Sequence, residues 1–109
     1  MELNEYQRKA LETAIYPNRG KNVNYALISL FGECGELANK IKKIIRDDKS
    51  VITDEKRDEI KDELGDILWY LAALVYEFGF DLEDIAERNL FKLKDRRKRN
   101  VVKGSGDKR

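Results

Sequence analysis

Histidine is missing from this chain of 109 residues, and cysteine, proline and tryptophan each occur once. Without histidine, the usual zinc sites are disfavoured and the Glu-x-x-His di-iron sites of helical bundles are excluded. The single cysteine, Cys34, cannot form a disulfide within the chain, which is typical of a protein from a reducing compartment. Because only Pro17 interrupts it, most of the sequence is free to form helices.

Long apolar runs are also missing. The longest nearly uncharged segment is far shorter than the ~20 residues that span a bilayer, and the opening MELNEYQRKA lacks the apolar stretch of a secretory signal. We therefore expect a cytoplasmic protein that does not enter a membrane. A length of 109 residues with 39% charged residues fits one compact domain with a thin core. Such a core gains stability from pairing with another copy of the chain.

The net charge of +1 conceals a strong asymmetry. Residues 88–109 contain ten Lys and Arg against two Asp, whereas residues 1–87 contain 12 basic and 19 acidic residues. An acidic body with a basic end indicates either an anion held through a metal ion or nucleic acid bound by the end segment.

Apolar residues recur at helical spacing in four segments, and this pattern predicts an all-α fold, an antiparallel four-helix bundle-like domain completed by oligomerisation. The predicted helices cover residues 3–15, 23–46, 54–78 and 82–98. Residues 1–98 then form a single domain. Residues 99–109 form a basic, glycine-containing C-terminal tail, which we expect to order only against another surface.

Turn and capping residues mark the ends of these helices. The first helix must stop before Pro17, because the residue preceding proline disfavours helical geometry. Thr53 and Asp81 are suitable N-caps for the third and fourth helices. Gly79 is a suitable glycine to follow the third helix.

Two pairs of acidic residues stand three positions apart and are thus neighbours on their helix surfaces. They are Glu33 with Glu36 and Glu63 with Asp66. Such pairs usually mark a solvated face, but Glu33 and Glu63 fall within the apolar stripes of their helices. In an antiparallel hairpin, the midpoint between Glu33 and Asp66 falls in the turn at residues 49–50, and so does the midpoint of the other pair. The four carboxylates are therefore predicted to face each other at one height, across helix axes ~8–10 Å apart.

Four carboxylates in one partly buried cluster repel each other and lose hydration, which raises their pKa values unless a cation is present. An all-oxygen anionic site suits a hard divalent cation such as Mg²⁺ or Mn²⁺. Because Mg²⁺ usually shares its coordination shell with substrate phosphates, a nucleotide is the expected ligand. Gly32, Gly35 and Gly65 lie beside the acids and cost about 1 kcal/mol each relative to alanine. They indicate close approach of a ligand or backbone, or else close packing of helices.

Several segments resemble a known family. The stretches GECGELANKIKKIIRD and DELGDILWYLAAL are similar to those of the MazG-type all-α nucleoside triphosphate pyrophosphohydrolases, whose mark is E-x-x-E, a spacer and E-x-x-D. The likeness continues through NLFKLKDR and KGSGDKR and covers most of residues 23–109. It implies Mg²⁺-dependent cleavage between the α- and β-phosphates of (deoxy)nucleoside triphosphates, which gives a monophosphate and pyrophosphate. It also implies a homodimer or homotetramer with a role in clearing unwanted nucleotides.

The resemblance also implies roles for particular residues. Four acids match the catalytic metal ligands of the family: Glu33, Glu36, Glu63 and Asp66. Three residues match a family segment, N-x-x-K-L-x-x-R, that is linked to phosphate binding: Asn89, Lys92 and Arg96. We expect one glutamate, Glu33 or Glu36, to act as the general base.

Two aromatic residues near the acids, Tyr25 and Trp69, are candidates for a base pocket; for Trp69 a packed core or interface position is the alternative. The segment KGSGDKR either folds over the substrate, its glycines letting backbone amides approach phosphate, or remains a disordered basic tail.

A different class of protein also fits the basic end. A small helical scaffold or nucleic-acid-binding protein would use residues 88–109 to contact phosphates. That interpretation does not account for the inward-facing acids, so nucleic acid is not the expected partner. A family member with a regulatory or toxin–antitoxin-associated role is a third interpretation.

Overall fold

The computed structural model describes residues 1–109 and contains four α-helices and no strands. The helices are α1 (Leu3–Glu12), α2 (Val23–Asp47), α3 (Asp54–Glu77) and α4 (Leu82–Lys98). The predicted all-α fold is therefore confirmed, with α2 and α3 bounded within one residue of expectation.

Helices α2 and α3 form the antiparallel hairpin on which the predicted site depends, and they make the most extensive helix pair of the chain. Side-chain caps start both helices: Asn22 accepts from the amide of Tyr25 at 3.2 Å, and Thr53 accepts from the amide of Lys56 at 3.2 Å. These bonds satisfy amides that have no partner in the first turn of a helix. The predicted cap Thr53 is thus confirmed.

The end of α3 confirms the predicted glycine stop. Gly79 has a φ of +77°, which a residue with a Cβ adopts only at a cost. Its amide donates to the carbonyl of Tyr76 at 2.8 Å and the next amide, Phe80, donates to Val75 at 3.0 Å, which is the Schellman arrangement. Asp81 then caps α4 by accepting from the amide of Asp84 at 2.8 Å.

Helix α1 ends earlier than predicted, at Glu12 rather than residue 15. The amides of Thr13 and Ala14 bond to carbonyls three residues back, at 3.0 and 3.2 Å, which tightens the last turn and stops the helix. After Glu12 the backbone leaves helical geometry. Ala14 and Tyr16 are both buried in the core against α3, whereas Ile15 between them is 95% exposed.

Side chains of α1 fix the start of α4. The Gln7 side chain donates to the carbonyls of Ala72 and Phe80 and accepts from the amide of Leu82 at 3.1 Å. Asn4 accepts from the amide of Glu83 at 3.0 Å. Helix α1 therefore lies between α3 and α4, and α4 packs mainly against α1 rather than along the hairpin.

One chain alone leaves the bundle open. The radius of gyration is 17.0 Å, against about 13 Å for a compact domain of this length. Only 13 of 109 residues are buried, and the main core cluster is built largely from alanines. Residues 100–109 fold back as a series of turns against α4. None of the four helices combines the length and the hydropathy that a membrane-spanning segment requires.

Candidate active site

Three of the four predicted metal ligands come together across the α2–α3 hairpin. One carboxylate oxygen from each of Glu33, Glu36 and Glu63 lies within 4.8 Å of the other two. Glu33 and Glu63 are partly buried, whereas Glu36 is exposed at the rim. The shared height that the sequence predicts is thus seen for these three residues.

Two carboxylate oxygens in this cluster are buried without any hydrogen-bond partner, Glu33 Oε2 and Glu63 Oε2. A buried acceptor without a partner costs roughly 1–3 kcal/mol, and more when it is charged. Such atoms are rare in folded proteins, and each calls for a partner such as a water, an ion or another ligand. Because both are hard oxygen donors facing one space, they fit a divalent cation such as Mg²⁺ or Mn²⁺.

The electrostatics of the cluster point the same way. Burial, together with the nearby carboxylates of Glu36 and Asp66, raises the pKa of Glu33 to about 7. The carboxyl group of Glu63, which lies close by across the hairpin, acts in the same direction. A carboxyl group that resists ionisation in the absence of a cation marks a site where added positive charge is strongly favoured.

Asp66 lies at the edge of this cluster rather than inside it. Its side chain is exposed, and it is not among the three residues whose oxygens converge. It is still close enough to raise the pKa values of Glu33, of Tyr70 and of Tyr6 on α1. Asp66 therefore lies near the three glutamates without joining their group of converging oxygens.

Lys40 is a contact that the sequence analysis missed. Its ammonium Nζ lies 3.9 Å from Glu63 and 3.8 Å from Glu59. Position 40 follows Glu36 by one helical turn, so the spacing of this lysine already places it on the face of the acids. It supplies a partial counter-charge to the cluster from one side.

The two aromatic residues predicted for a base pocket belong to one cluster beside the acids. Tyr25 stacks on Tyr16 with ring centroids 5.1 Å apart, and Trp69 packs edge-on against Tyr16 and Tyr70 at 6.4 and 4.9 Å. Trp69 is half-buried, and its indole N–H donates to Thr13 at 2.9 Å, whereas Tyr25 is 38% exposed.

Tyr70 links this aromatic cluster to the carboxylates. The pKa of Tyr70 is raised, mainly by burial and further by Tyr25, Glu33 and Asp66. A hydrogen bond with Ser29 acts in the opposite direction without cancelling the rise. Tyr70 follows Asp66 by four residues, so its position on the site face could have been read from helical spacing.

A buried glutamate at the end of α3 was also missed. Glu77 is 9% exposed and accepts hydrogen bonds from Tyr16 Oη at 2.7 Å, from the amide of Gly20 at 2.7 Å and from the amide of Asn22. Burial alone would raise its pKa, but these three donors outweigh burial and hold the pKa of Glu77 below its usual value. Glu77 thereby ties the α1–α2 loop and the aromatic cluster to α3.

The predicted phosphate-binding residues lie on α4, away from the carboxylates of their own chain. Asn89, Lys92 and Arg96 line a groove of about 830 Å³ between α4 and the C-terminal residues. Asn89 is exposed there. Lys92 and Arg96 both contact Asp107, at 3.1 and 3.4 Å.

The glycines beside the acids face open space. A Cβ built on Gly32, Gly35 or Gly65 would meet no atom of another element within 4 Å. Close packing of helices within the chain therefore does not explain these glycines, while approach of a ligand or of another subunit remains in accord with them. Cys34, between Gly32 and Gly35, is likewise exposed rather than buried.

Comparison with known proteins identifies the family of this arrangement. Residues 22–101 match the sequence model of the MazG nucleotide pyrophosphohydrolase domain. The chain belongs to the MazG family. The match contains both acidic motifs and the α4 segment from Asn89 to Arg96. The family is one of nucleotide pyrophosphohydrolases and generally depends on a divalent metal ion.

A full-length relative of this MazG protein comes from a virus of bacteria. The chain is 46% identical, over 114 aligned residues that cover all of both proteins, to the Gene 37 protein of Mycobacterium phage L5. That name states no activity. No solved structure matches the chain.

Proposed function

We propose that this protein is a Mg²⁺-dependent nucleoside triphosphate pyrophosphohydrolase that cleaves the α–β phosphate bond of (deoxy)nucleoside triphosphates to a monophosphate and pyrophosphate. The observation that carries the proposal is the pair of buried, unpartnered oxygens on Glu33 and Glu63. They lie within the two acidic motifs that are shared with the MazG family. A role in removing unwanted nucleotides from the pool would follow from this activity.

The metal would be held by Glu33, Glu36 and Glu63, with Asp66 on the open side. When bound there, Mg²⁺ neutralises phosphate oxygens and makes a neighbouring water more acidic. Mn²⁺ offers the same preference for oxygen ligands and would substitute for it.

The remaining chemistry belongs to the side chains of the chain itself. One of the two glutamates of α2, Glu33 or Glu36, accepts the proton of the attacking water. Glu36 is exposed at the rim and can reach water directly, whereas Glu33 holds a proton up to a pKa of about 7 without a cation. Lys92, with Asn89, would contact the leaving pyrophosphate and stabilise its charge, and the buried Arg96 would add its positive charge from behind the groove.

The residues proposed to bind phosphate, on α4, lie apart from the proposed metal ligands of the same chain. This separation favours a homodimer or homotetramer. Helix α4 packs mainly on α1, and the basic face of α4 stays apart from the acids. Large apolar side chains are exposed on α2 and α4, including Ile28, Phe31, Leu90 and Phe91 at 66–77% exposure. A second copy that covers these side chains would close the bundle and bring a basic α4 face toward the acids of its partner.

The nucleotide base would rest against the aromatic cluster. Tyr25 offers the more accessible ring, since Trp69 is half-buried and its N–H is bonded to Thr13. Stacking on an aromatic ring tolerates any base because every base has a π-face. The cluster therefore supports base binding as such and leaves the preferred base to other contacts.

The decisive experiment measures pyrophosphate release from a panel of canonical and modified (deoxy)nucleotides with Mg²⁺. We expect turnover by the wild type, and a loss of at least about 100-fold for Glu36→Gln and Asp66→Asn, because each removes a charged metal ligand. Asp62→Asn is the matched control: Asp62 is an exposed acid of the same helix, four residues before Asp66, and should keep full activity. Wild-type rates in Glu36→Gln and Asp66→Asn would refute the site.

The same preparation separates the enzyme from a nucleic-acid-binding protein. A salt-dependent gel shift with no pyrophosphate release from any nucleotide would favour binding of nucleic acid by residues 88–109.

A further inference from the structure

The C-terminal loop, residues 100–109, is closed by its own hydrogen bonds. The guanidinium of Arg109 donates to the carbonyls of Val101, Val102 and Gly106 at 2.9, 2.8 and 2.6 Å. Gly106 has a φ of +83°, a conformation that favours glycine at this position. The predicted tail is therefore a folded loop that packs on α4 of its own chain.

Arg96 anchors this loop to α4. Its side chain is only 6% exposed, and its NH2 nitrogen donates to the carbonyl of Asp107 at 2.6 Å and to that of Gly106 at 3.5 Å. A buried guanidinium is costly unless its donors are bonded, so these carbonyls hold it in place. Arg96 thus holds the loop through backbone carbonyls, and these hydrogen bonds can remain in place when a ligand binds in the groove.

Lys92 is engaged differently, by a side chain that can leave. Its Nζ donates to Asp107 Oδ1 at 3.1 Å, and the Asp107 side chain is 85% exposed. Hydrogen bonds and charge from Lys92 and Arg96 lower the pKa of Asp107, so its carboxylate is ionised at neutral pH. A negatively charged oxygen of Asp107 therefore contacts Lys92, the lysine that matches the phosphate-binding segment of the family.

We propose that the Asp107 carboxylate is an internal occupant of the phosphate position at Lys92, and that a nucleotide phosphate displaces it while Arg96 keeps the C-terminal loop in place. The proposal rests on the proposed function for the identity of the displacing anion. An exposed ion pair contributes little stability, so the carboxylate can turn into water at small cost. The groove contains five basic residues, Arg88, Lys92, Arg96, Arg99 and Lys108, against four acids, Asp84, Glu87, Asp95 and Asp107. Displacing the Asp107 carboxylate therefore leaves an excess of positive charge for a polyphosphate.

The displacement has a consequence for affinity. Every bound phosphate must first break the contact between Lys92 and Asp107, so the acid weakens anion binding at this groove. Removing its charge should tighten binding, whereas a carboxylate that merely orients Lys92 for phosphate would weaken binding when removed.

The test measures the affinity of the full chain for inorganic pyrophosphate by titration calorimetry, at low salt and with a chelator present. Neither turnover nor the metal site contributes under these conditions, so the result does not depend on whether nucleotides are hydrolysed. We expect Asp107→Asn to bind pyrophosphate about two- to five-fold more tightly than the wild type. Equal or weaker binding would overturn the proposal.

Two further variants tie the effect to the contact. Asp95→Asn removes the same charge from the same groove, but Asp95 pairs with Arg99 at 2.9 Å rather than with Lys92, so its affinity should stay near that of the wild type. In a Lys92→Gln background, Asp107→Asn should no longer tighten binding. A gain as large in Asp95→Asn, or one that persists without Lys92, would show that general charge and not displacement is responsible. Circular dichroism verifies that each variant retains its helices.

Discussion

Tyr16 Oη donates a hydrogen bond of 2.7 Å to Glu77 Oε2, which joins the α1–α2 loop to the end of α3. The same carboxylate also receives the amides of Gly20 and Asn22. Three donors on one buried carboxylate are more than the side-chain oxygen of a glutamine can replace, and its NH2 group would face donors. We expect Glu77→Gln to lower the free energy of unfolding by about 2–4 kcal/mol, measured by urea denaturation at pH 7.

The pH dependence of this effect follows from the lowered pKa of Glu77. Because the folded state holds the proton less tightly than the unfolded state, the contribution of the carboxylate is present above the usual value of 4.5 and is lost as the pH falls through the lower folded value. The stability curves of wild type and Glu77→Gln should therefore converge at acid pH. Tyr16→Phe removes one donor only, and we expect it to cost about 1 kcal/mol. A Glu77→Gln protein as stable as the wild type at pH 7 would contradict the role of this contact.

The raised pKa of Glu33 gives a prediction of opposite sign for the metal-free protein. In the folded state this carboxyl group titrates at about 7, against 4.5 for the free group. The folded protein therefore binds more protons between these values, and its stability falls as the pH rises through that window. With a chelator present, Glu33→Gln should be more stable than the wild type at pH 8 by about 1–2 kcal/mol, and no more stable below pH 4.5.

Adding Mg²⁺ should reverse that order. The wild type gains stability because the ion binds only the folded state, whereas Glu33→Gln has lost a charged ligand and gains little. Thermal melts at pH 8 with chelator and with Mg²⁺ provide both comparisons, and Asp62→Asn is the control that should follow the wild type. If Glu33→Gln destabilises the metal-free protein at pH 8, the neighbouring carboxylates do not disfavour the ionised form of Glu33.

Lys40 would compete with a cation bound at the proposed site for the carboxylate of Glu63. Its Nζ lies 3.9 Å from Glu63 in a half-exposed position, so its charge reduces the attraction of the cluster for Mg²⁺ by a modest amount. We expect Lys40→Met to bind Mg²⁺ about two- to five-fold more tightly in a calorimetric titration. Lys42→Met is the matched control, because Lys42 lies on α2 in the grooves next to Gly35 and Ile45 and forms no ion pair. Weaker binding in Lys40→Met would show that this lysine positions Glu63 for the metal instead.

The sequence predicted the parts of the site that depend on helical spacing and on the turn between two helices. The register of Glu33, Glu36 and Glu63 follows from the shared midpoint in the turn, and the ends of α3 follow from Thr53 and Gly79, since each effect acts within a few residues. The exposed position of Asp66, outside the group of three converging glutamates, was not predicted. It depends on how far each side chain lies from the line between the two helix axes, which residue spacing alone does not give.

Contacts between distant segments were beyond the sequence pattern. Glu77 lies on the continued apolar face of α3, but its donors come from residues 16, 20 and 22, which only the path of the α1–α2 loop brings there. The contact between Asp107 and Lys92 likewise depends on the path of the chain after α4. The position of α4 was missed because its apolar stripe identifies a buried face without identifying the helix that covers it.

Helix α2 leaves an apolar surface uncovered beside its acidic residues. Phe31 is 67% exposed on α2, two residues before Glu33, and Ile28 beside it is 71% exposed. Exposed apolar patches of this kind usually mark an interface, and a chain of 12.7 kDa with so open a fold gains most from a second copy. We expect the wild type to elute as a dimer or tetramer in light-scattering chromatography, and Phe31→Ser to shift toward monomer. Because the phosphate residues would then lack their partner acids, Phe31→Ser should lose pyrophosphate release while still binding Mg²⁺. Val51→Ser is the control, because it removes a 60% exposed apolar residue at the tip of the hairpin, and it should keep both assembly and activity. A monomeric wild type with full activity would contradict the prediction, because one chain would then be sufficient for catalysis.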